Sequence, residues 1–205
     1  VYRYAPLYDN AVFLAFLTVI PTMVMFMVSV ETDFYEHYKE FFHHILNDIS
    51  LDRLEKAKEK MVSALNNKLI DIMEIQLFIS ITIFFLADSI LSKINLQGII
   101  IDIFRITTLA TFCNIFILVI MLIMLYFEAR KQAMWLTALF TLLNGSLTAY
   151  FIQYGTDLYG LGYFLASFIS LIIGVFLLNN YLNNLTYHIF SSQPIFQQDK
   201  NKVKT

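Results

Sequence analysis

The chain has 205 residues, of which 58% are hydrophobic and 15% are charged, and its formal net charge is −2. A soluble domain carries about 25% charged residues, whereas this sequence confines its charges to short stretches between long uncharged ones, as is typical of a chain embedded in lipid. The acidic balance excludes the basic face of a nucleic-acid-binding protein, and the single cysteine, Cys113, excludes an intrachain disulfide and a cysteine-based metal site.

Five hydrophobic runs reach the length of about 20 residues that a membrane-spanning helix needs. They cover residues 11–30, 72–91, 99–127, 132–153 and 158–181. Pro21 lies within the first run and is expected to kink it, because proline removes one backbone donor. The chain opens on Val1 with no cleavable signal peptide, so we expect it to be a piece of a longer protein.

The distribution of basic residues predicts the orientation of these spans. Placing the loop after the first span in the cytoplasm puts eleven lysines and arginines on that side, and only Arg3 and Lys93 on the other. Cytoplasmic loops carry the excess of lysine and arginine. The N-terminus is therefore predicted to lie outside and the C-terminal tail, residues 182–205, inside.

A polar stretch, residues 31–71, separates the first two spans and reads as a helical hairpin. The aromatic side of its first helix, which carries Phe34 and Phe41, is expected to lie in the membrane interface. The second helix has an apolar side that includes Leu54, Met61 and Leu65. Either the hairpin extends the bundle, or this apolar side docks a cytoplasmic partner.

The predicted fold is an all-α membrane protein, a polytopic bundle of five transmembrane helices with a cytoplasmic helical hairpin. Its four parts are an outer segment with the first span (1–30), the hairpin (31–71), four further spans (72–181) and the tail (182–205). His37, Glu40 and His44 share one face of the hairpin, but no HExxH pattern or further ligand accompanies them, so no metal site is predicted. No catalytic constellation and no cofactor-binding motif is present.

Polar residues inside the spans are the candidate functional residues, because a charge in hydrocarbon is costly and usually faces a cavity or a partner. Asp102 and Arg105 are three residues apart and can pair on one helix face, and Asp88 could join them. The pair is either a structural clamp at the membrane edge or part of a pathway. Asn114 and Asn144 lie deeper, where amides also serve as contacts between helices. Two glycines at the start of the fifth span, Gly160 and Gly162, are interpreted as positions of close packing or of a bend.

Four stretches of the sequence resemble the PelG family of Pel exopolysaccharide transporters. The most specific is PLYDNAVFLAFLTVIPTMVMFMVSVETDFYEHYKEFF, residues 6–42, with the unusual string VETDFYEHY at a boundary between span and cytoplasm. Three others follow in the same order: LYFEARKQAMWLTALFTLLNGSLT (125–148), YGLGYFLAS (159–167) and YLNNLTYHIFSSQPI (181–195). The resemblance covers nearly the whole chain, but only the C-terminal part of the family.

The resemblance implies a flippase-like transporter without an enzymatic step of its own. It would export a Pel-type polysaccharide, rich in N-acetylgalactosamine and its de-acetylated form, across the bacterial cytoplasmic membrane during formation of the biofilm matrix. Its partners would be a cytoplasmic glycosyltransferase and other membrane subunits of the synthase complex.

A partly cationic sugar polymer would favour a path lined by carboxylates, amides and aromatic rings. The candidate pathway residues are Glu31, Asp33, Asp88, Asp102, Arg105, Asn114 and Asn144. Acidic groups at the aqueous end of a helix are also ordinary, so Glu31 and Asp33 fit both interpretations. The alternative function is a non-conducting membrane anchor for a polysaccharide synthase, and a membrane-embedded glycosyl-transferring enzyme is a third class.

Overall fold

The computed structural model describes residues 6–29, 32, 34–46, 51–93, 95–96, 98–155 and 158–187. Within these ranges the chain forms helices and no β-strand, and five of its helical segments are long and apolar enough to cross a membrane. The prediction of an all-α polytopic bundle with five spans is therefore confirmed. The α-helices are α1 (Pro6–Leu17), α2 (Ile20–Ser29), α3 (Tyr35–Leu46), α4 (Leu51–Lys93), α5 (Ile99–Tyr126), α6 (Arg130–Phe151) and α7 (Leu161–Asn183).

The first span consists of two helices, because α1 ends at Leu17 and α2 begins at Ile20. At the junction the amides of Thr18 and Val19 donate three residues back, to the carbonyl oxygens of Ala15 (3.1 Å) and Phe16 (3.3 Å). Pro21 has no amide hydrogen for the carbonyl of Leu17, four residues earlier, so the helix is interrupted where that hydrogen bond would form. Proline itself then lies in the first turn of α2, where its missing donor costs little.

The second helix of the predicted hairpin and the second span form one continuous helix, α4. This helix has 43 residues, which corresponds to a length of about 64 Å at 1.5 Å per residue. No glycine or proline occurs between Leu51 and Lys93, so nothing in the sequence terminates the helix where it leaves the membrane. Only about 20 residues are needed to cross the hydrocarbon of a bilayer, so α4 is longer than one crossing requires.

Helix α5 lies at the centre of the bundle and packs against α1, α4, α6 and α7. It is the most buried of the spans, whereas most of α6 is exposed. Along α5 three threonines, Thr107, Thr108 and Thr111, are fully buried, and their hydroxyls donate to carbonyl oxygens of the same helix at 2.8–3.1 Å. Each hydroxyl donor thus has an acceptor within α5, so burial of the helix leaves none of the three without a hydrogen bond.

The start of α1, the ends of α4 and α6, and the starts of α5 and α7 meet at one end of the bundle, called the α1 end. Its apolar core is a cluster of alanines, leucines and isoleucines that includes Ala11, Ala87, Leu91 and Ile100. The short links between antiparallel helices place these termini together, as predicted for neighbours joined by a few residues.

The opposite end, called the α3 end, holds α3, the N-terminal half of α4, the α5–α6 turn and the end of α7. Phe34 and Phe41 are buried here, and Phe34 contacts Tyr126 and Phe127 edge-on with ring centroids 5.5 and 5.8 Å apart. The aromatic side of α3 therefore packs on the bundle, and the expectation that it lies at the level of the membrane interface stays a prediction. An amphipathic aromatic face suits both environments, and here α4 and the α5–α6 turn supply an apolar surface for it.

Burial changes the acidity of one tyrosine at the α3 end. Tyr38 packs against Phe42 at a tilt and meets Tyr126 edge-on. Burial, together with the neighbouring Tyr126 and the carboxylate of Glu128, raises the pKa of Tyr38 above its usual value. The raised pKa favours the protonated hydroxyl.

Candidate functional site

Three charged side chains, Asp88, Asp102 and Arg105, come together at the α1 end and are called the α1-end ion cluster. A guanidinium nitrogen of Arg105 donates to Asp88 Oδ2 at 2.5 Å, and the other lies 3.6 Å from Asp102 Oδ1. Arg105 Nε also donates to the carbonyl oxygen of Phe84 at 3.3 Å, and the guanidinium carbon lies 5.7 Å from the Phe84 ring centroid. The cluster links α4 to α5, and Arg105 is held by four contacts.

The local sequence explains this arrangement. Asp102 and Arg105 lie one turn apart on α5, and the short link after Lys93 brings the last turns of α4 beside them. Asp88 is five residues before the end of α4 and Arg105 is six residues after the start of α5, so both lie within about 10 Å of a helix end. Ionised side chains this close to a helix end can reach the polar edge of a bilayer, where they are tolerated.

Exposure distinguishes the two acids from the base. The side chains of Asp88 and Asp102 are 64% and 67% exposed, whereas that of Arg105 is 28% exposed. Two carboxylates surround one guanidinium, so the cluster carries one net negative charge. It can therefore bind a positively charged group from outside the bundle while Arg105 fixes the positions of the two acids.

An aromatic pocket of about 180 Å³ lies at the same end of the bundle. Its lining includes Tyr8 of α1, Phe151 of α6, and Tyr159 in the link before α7. The next residues of α5 after Arg105 connect the two features, since Ile106 and Thr107 lie against Gly160, which also lines the pocket. The α1 end thus presents exposed carboxylates and aromatic side chains on neighbouring surfaces.

The two candidate asparagines do not join this cluster. Asn114 is half-buried on α5. It neighbours Tyr163 in the first turn of α7, whose hydroxyl is buried. Asn144 is half-buried on α6, and its Oδ1 accepts a hydrogen bond from Thr148 Oγ1 at 3.2 Å, one turn along the same helix. No hydrogen bond joins the two amides within the described part of the chain.

A buried polar contact between the first two spans was not predicted from the sequence. Thr22 Oγ1 donates to Gln76 Oε1, and Gln76 Nε2 donates to Ser80 Oγ at 3.1 Å. All three side chains are buried. The sequence carries no local signal for this contact, because the facing of Gln76 toward Thr22 depends on how the two helices rotate against each other. The contact stabilises the interrupted first span against α4.

Replacing Gln76 by alanine should destabilise the protein more than replacing it by leucine. Alanine leaves a cavity in addition to the lost hydrogen bonds, and we expect a loss of about 2 kcal/mol in the free energy of unfolding. Leucine fills most of the space and leaves Thr22 and Ser80 to bond to their own helices, so its cost should be below about 1 kcal/mol. Unfolding in a denaturing detergent series measures the loss for each variant. Gln153→Ala is the control, because Gln153 is exposed. Equal losses for alanine and leucine would show that the hydrogen bonds, rather than packing, dominate.

The apolar side of the second hairpin helix is covered. Leu54, Met61 and Leu65 are buried in the same cluster as Phe34 and Phe41 of α3. The hairpin therefore extends the bundle in this structure. A partner that docks on these three side chains would first have to displace α3.

Two candidate residues, Glu31 and Asp33, lie outside the described part of the chain. Within the part that is described, no group of three or more histidine, cysteine, aspartate or glutamate side chains is placed to hold a metal ion. On α3, His44 Nε2 lies 3.8 Å from Glu40 Oε1, which makes an ion pair within the helix when the histidine is protonated.

Comparison with known proteins gives one family match. The sequence profile described as "PelG: Putative exopolysaccharide Exporter (EPS-E)" matches residues 1–190 of the chain. No curated protein and no solved structure matches the chain.

Proposed function

Since this chain belongs to the PelG family of exopolysaccharide exporters, we propose that it forms part of a flippase-like path for a Pel-type polysaccharide across the bacterial cytoplasmic membrane. The α1 end is the outer mouth of this path, and the chain carries out no enzymatic step of its own. The observation that carries the proposal is the α1-end ion cluster, in which two exposed carboxylates are fixed around a less exposed arginine beside an aromatic pocket.

Charge complementarity supports this placement. A polymer that is partly de-acetylated carries ammonium groups, which are attracted to a site with net negative charge. The carboxylates lie at the ends of two spans, so they can act on the polymer at the membrane surface without the cost of burial. Exposed ion pairs are individually weak. Weak contacts suit a path, because a passing polymer must also leave.

The distribution of basic residues supports the α1 end as the outer one. The α3 end carries Arg53, Lys56, Lys58, Lys60, Arg130 and Lys131, whereas among the described residues Lys93 is the one basic side chain near the α1 end outside the ion cluster. Positive residues remain in the cytoplasm during insertion. The α3 end therefore faces the cytoplasm, where the polymer and its glycosyltransferase are located.

The double variant Asp88→Asn/Asp102→Asn tests the role of the α1-end ion cluster. We expect secretion of the polymer by the full-length protein in cells to fall about two- to five-fold, since each lost exposed charge contact contributes little. Secreted polymer, the amount of protein in the membrane and its association with the synthase are measured separately. Asp9→Asn is the matched control, because Asp9 is also an exposed acid near the α1 end but lies outside the cluster.

The outcomes separate transport from anchoring. Lower secretion with unchanged membrane levels and assembly supports transport. Lost assembly as the primary defect instead supports a membrane anchor for the synthase, an alternative favoured by the exposed charges on the N-terminal part of α4, such as Arg53, Lys56 and Lys60. An equal effect of Asp9→Asn, or no effect of the double variant, contradicts the proposed role of the cluster.

A further inference from the structure

A groove of about 390 Å³ runs along the surface of the bundle between α4 and α7, with α5 as its floor. Its volume falls within the range of about 300–1,000 Å³ that is usual for ligand sites. Ile70 and Met73 of α4 form one wall, Val175 of α7 forms the other, and all three are substantially exposed. The groove is therefore accessible from the side, that is, from the bilayer.

The lining of the groove changes character along its length. Its deeper part is apolar, from Met73 and Phe116 to Val175. The two polar side chains in its lining are the amides of Asn66 and Asn179, and both lie toward the α3 end. Asn179 is one turn before the end of α7. This end of the groove therefore lies near the headgroup layer when α7 crosses the membrane.

A lysine lies farther toward the α3 end, outside the lining of the groove itself. Lys58 is two turns before Asn66 on α4, and its ammonium donates to the backbone oxygen of Asn183, the last residue of α7, at 3.3 Å. An ammonium has three donors, so this contact leaves two for another acceptor. The lining of the groove contains no acidic side chain.

The geometry points to a binding site for an anionic phospholipid, which we propose as a function of this groove separate from polymer export. One acyl chain lies in the apolar part, the glycerol ester region contacts Asn66 and Asn179, and the phosphate faces Lys58. The order of apolar wall, amides and cation matches the order of groups along such a lipid. A sugar polymer would find few hydrogen-bond partners in the apolar part, and a basic residue at the headgroup level favours an anionic lipid.

Photo-crosslinking tests the site on the full-length protein reconstituted in phosphatidylcholine vesicles. The probes are phosphatidylglycerol and phosphatidylcholine that each carry a diazirine in one acyl chain, used in separate samples at the same small mole fraction. We expect phosphatidylglycerol to label peptides of α4 and α7 that contain Ile70, Met73 and Val175 in preference to the other lipid-facing surfaces. Peptide mass spectrometry locates and quantifies the label.

Two pairs of conditions make the result specific. Lys58→Gln should lower labelling by phosphatidylglycerol about five-fold and leave labelling by phosphatidylcholine unchanged. Val175→Trp should fill the groove and remove the label there, whereas Phe176→Trp, at the adjacent exposed position outside the groove lining, should not. Lys58 is at the surface, so Lys58→Gln tests the proposal even if the tryptophan variant fails to fold.

Equal labelling by the two lipids, unaffected by Lys58→Gln, would overturn the proposal and identify the groove as ordinary annular surface. Absence of label in the groove would also overturn it and indicate that a protein segment or a second copy occupies the space.

Discussion

Gly162→Ala is expected to lower the free energy of unfolding by about 3 kcal/mol, at the upper end of what overpacking usually costs. A methyl group on the Gly162 Cα would lie 2.6 Å from the backbone nitrogen and 2.7 Å from the Cα of Thr148. These atoms belong to the backbone of α6, so they cannot rotate away as the end of a flexible side chain would. The two helices must therefore separate at this crossing. Helix α6 has few buried residues elsewhere, so few other contacts compensate for the loss.

Two other helical glycines provide matched controls for this substitution. Gly145→Ala should be neutral, since nothing lies within 4 Å of the added methyl group. Gly174→Ala should have an intermediate effect, since its methyl group would meet Leu136 Cδ2 at 3.2 Å and a side chain can adjust. Unfolding in detergent should therefore rank the losses as Gly162, then Gly174, then Gly145. Equal losses at Gly162 and Gly145 would show that α6 and α7 do not cross where the structure places them.

Phe41→Ala should release α3 from α4, with a loss of about 4 kcal/mol in local stability. Phe41 is fully buried and belongs to the cluster that also contains Leu54, Met61 and Leu65 of α4. Truncation removes one of the largest side chains in this interface and leaves a cavity that a short helix cannot close. We therefore expect the apolar side of the N-terminal half of α4 to become accessible to water.

Cysteine labelling measures this release directly. In a background in which the single cysteine is replaced, Cys113→Ala, Met61→Cys should react with a soluble maleimide at least about 100-fold faster when Phe41 is alanine. Tyr35→Ala is the control, because Tyr35 is on the same helix but is exposed. An unchanged rate in Phe41→Ala would mean that α3 is held by other contacts.

The same experiment bears on the docking alternative. If a synthase partner binds only when Leu54, Met61 and Leu65 are exposed, then Phe41→Ala should strengthen that binding. If the partner instead contacts the exposed charges of α4, binding should be unchanged. The position of α3 thus decides which surface is available to a partner.

The sequence predicted the spans because hydropathy reports the solvent around a helix. For the same reason it could not predict that α4 continues through residue 71, since the hydropathy changes there but no helix-terminating residue occurs. The pairing of Asp102 with Arg105 followed from their spacing. The closer partner, Asp88, was suggested by its position near the end of the second span, and the structure places it 2.5 Å from the guanidinium.

Other features depend on how helices rotate against one another, which a single sequence leaves open. Gln76 is uncharged, and nothing local distinguishes a buried amide from an exposed one until the partner helix is known. Phe41 fits a membrane interface and a protein interface equally well by composition. At Gly162, by contrast, the sequence suggested close packing or a bend, and the structure shows close packing, with the backbone of Thr148 against it.

The single long helix α4 has a mechanical consequence. It is held near its start by α3 and near its far end by the guanidinium of Arg105, and it rests on α5 between these points. A continuous helix that is held at both ends transmits a displacement applied at one end to the other. A load on the N-terminal part of α4 would therefore reach Asp88 at the α1 end through a single element.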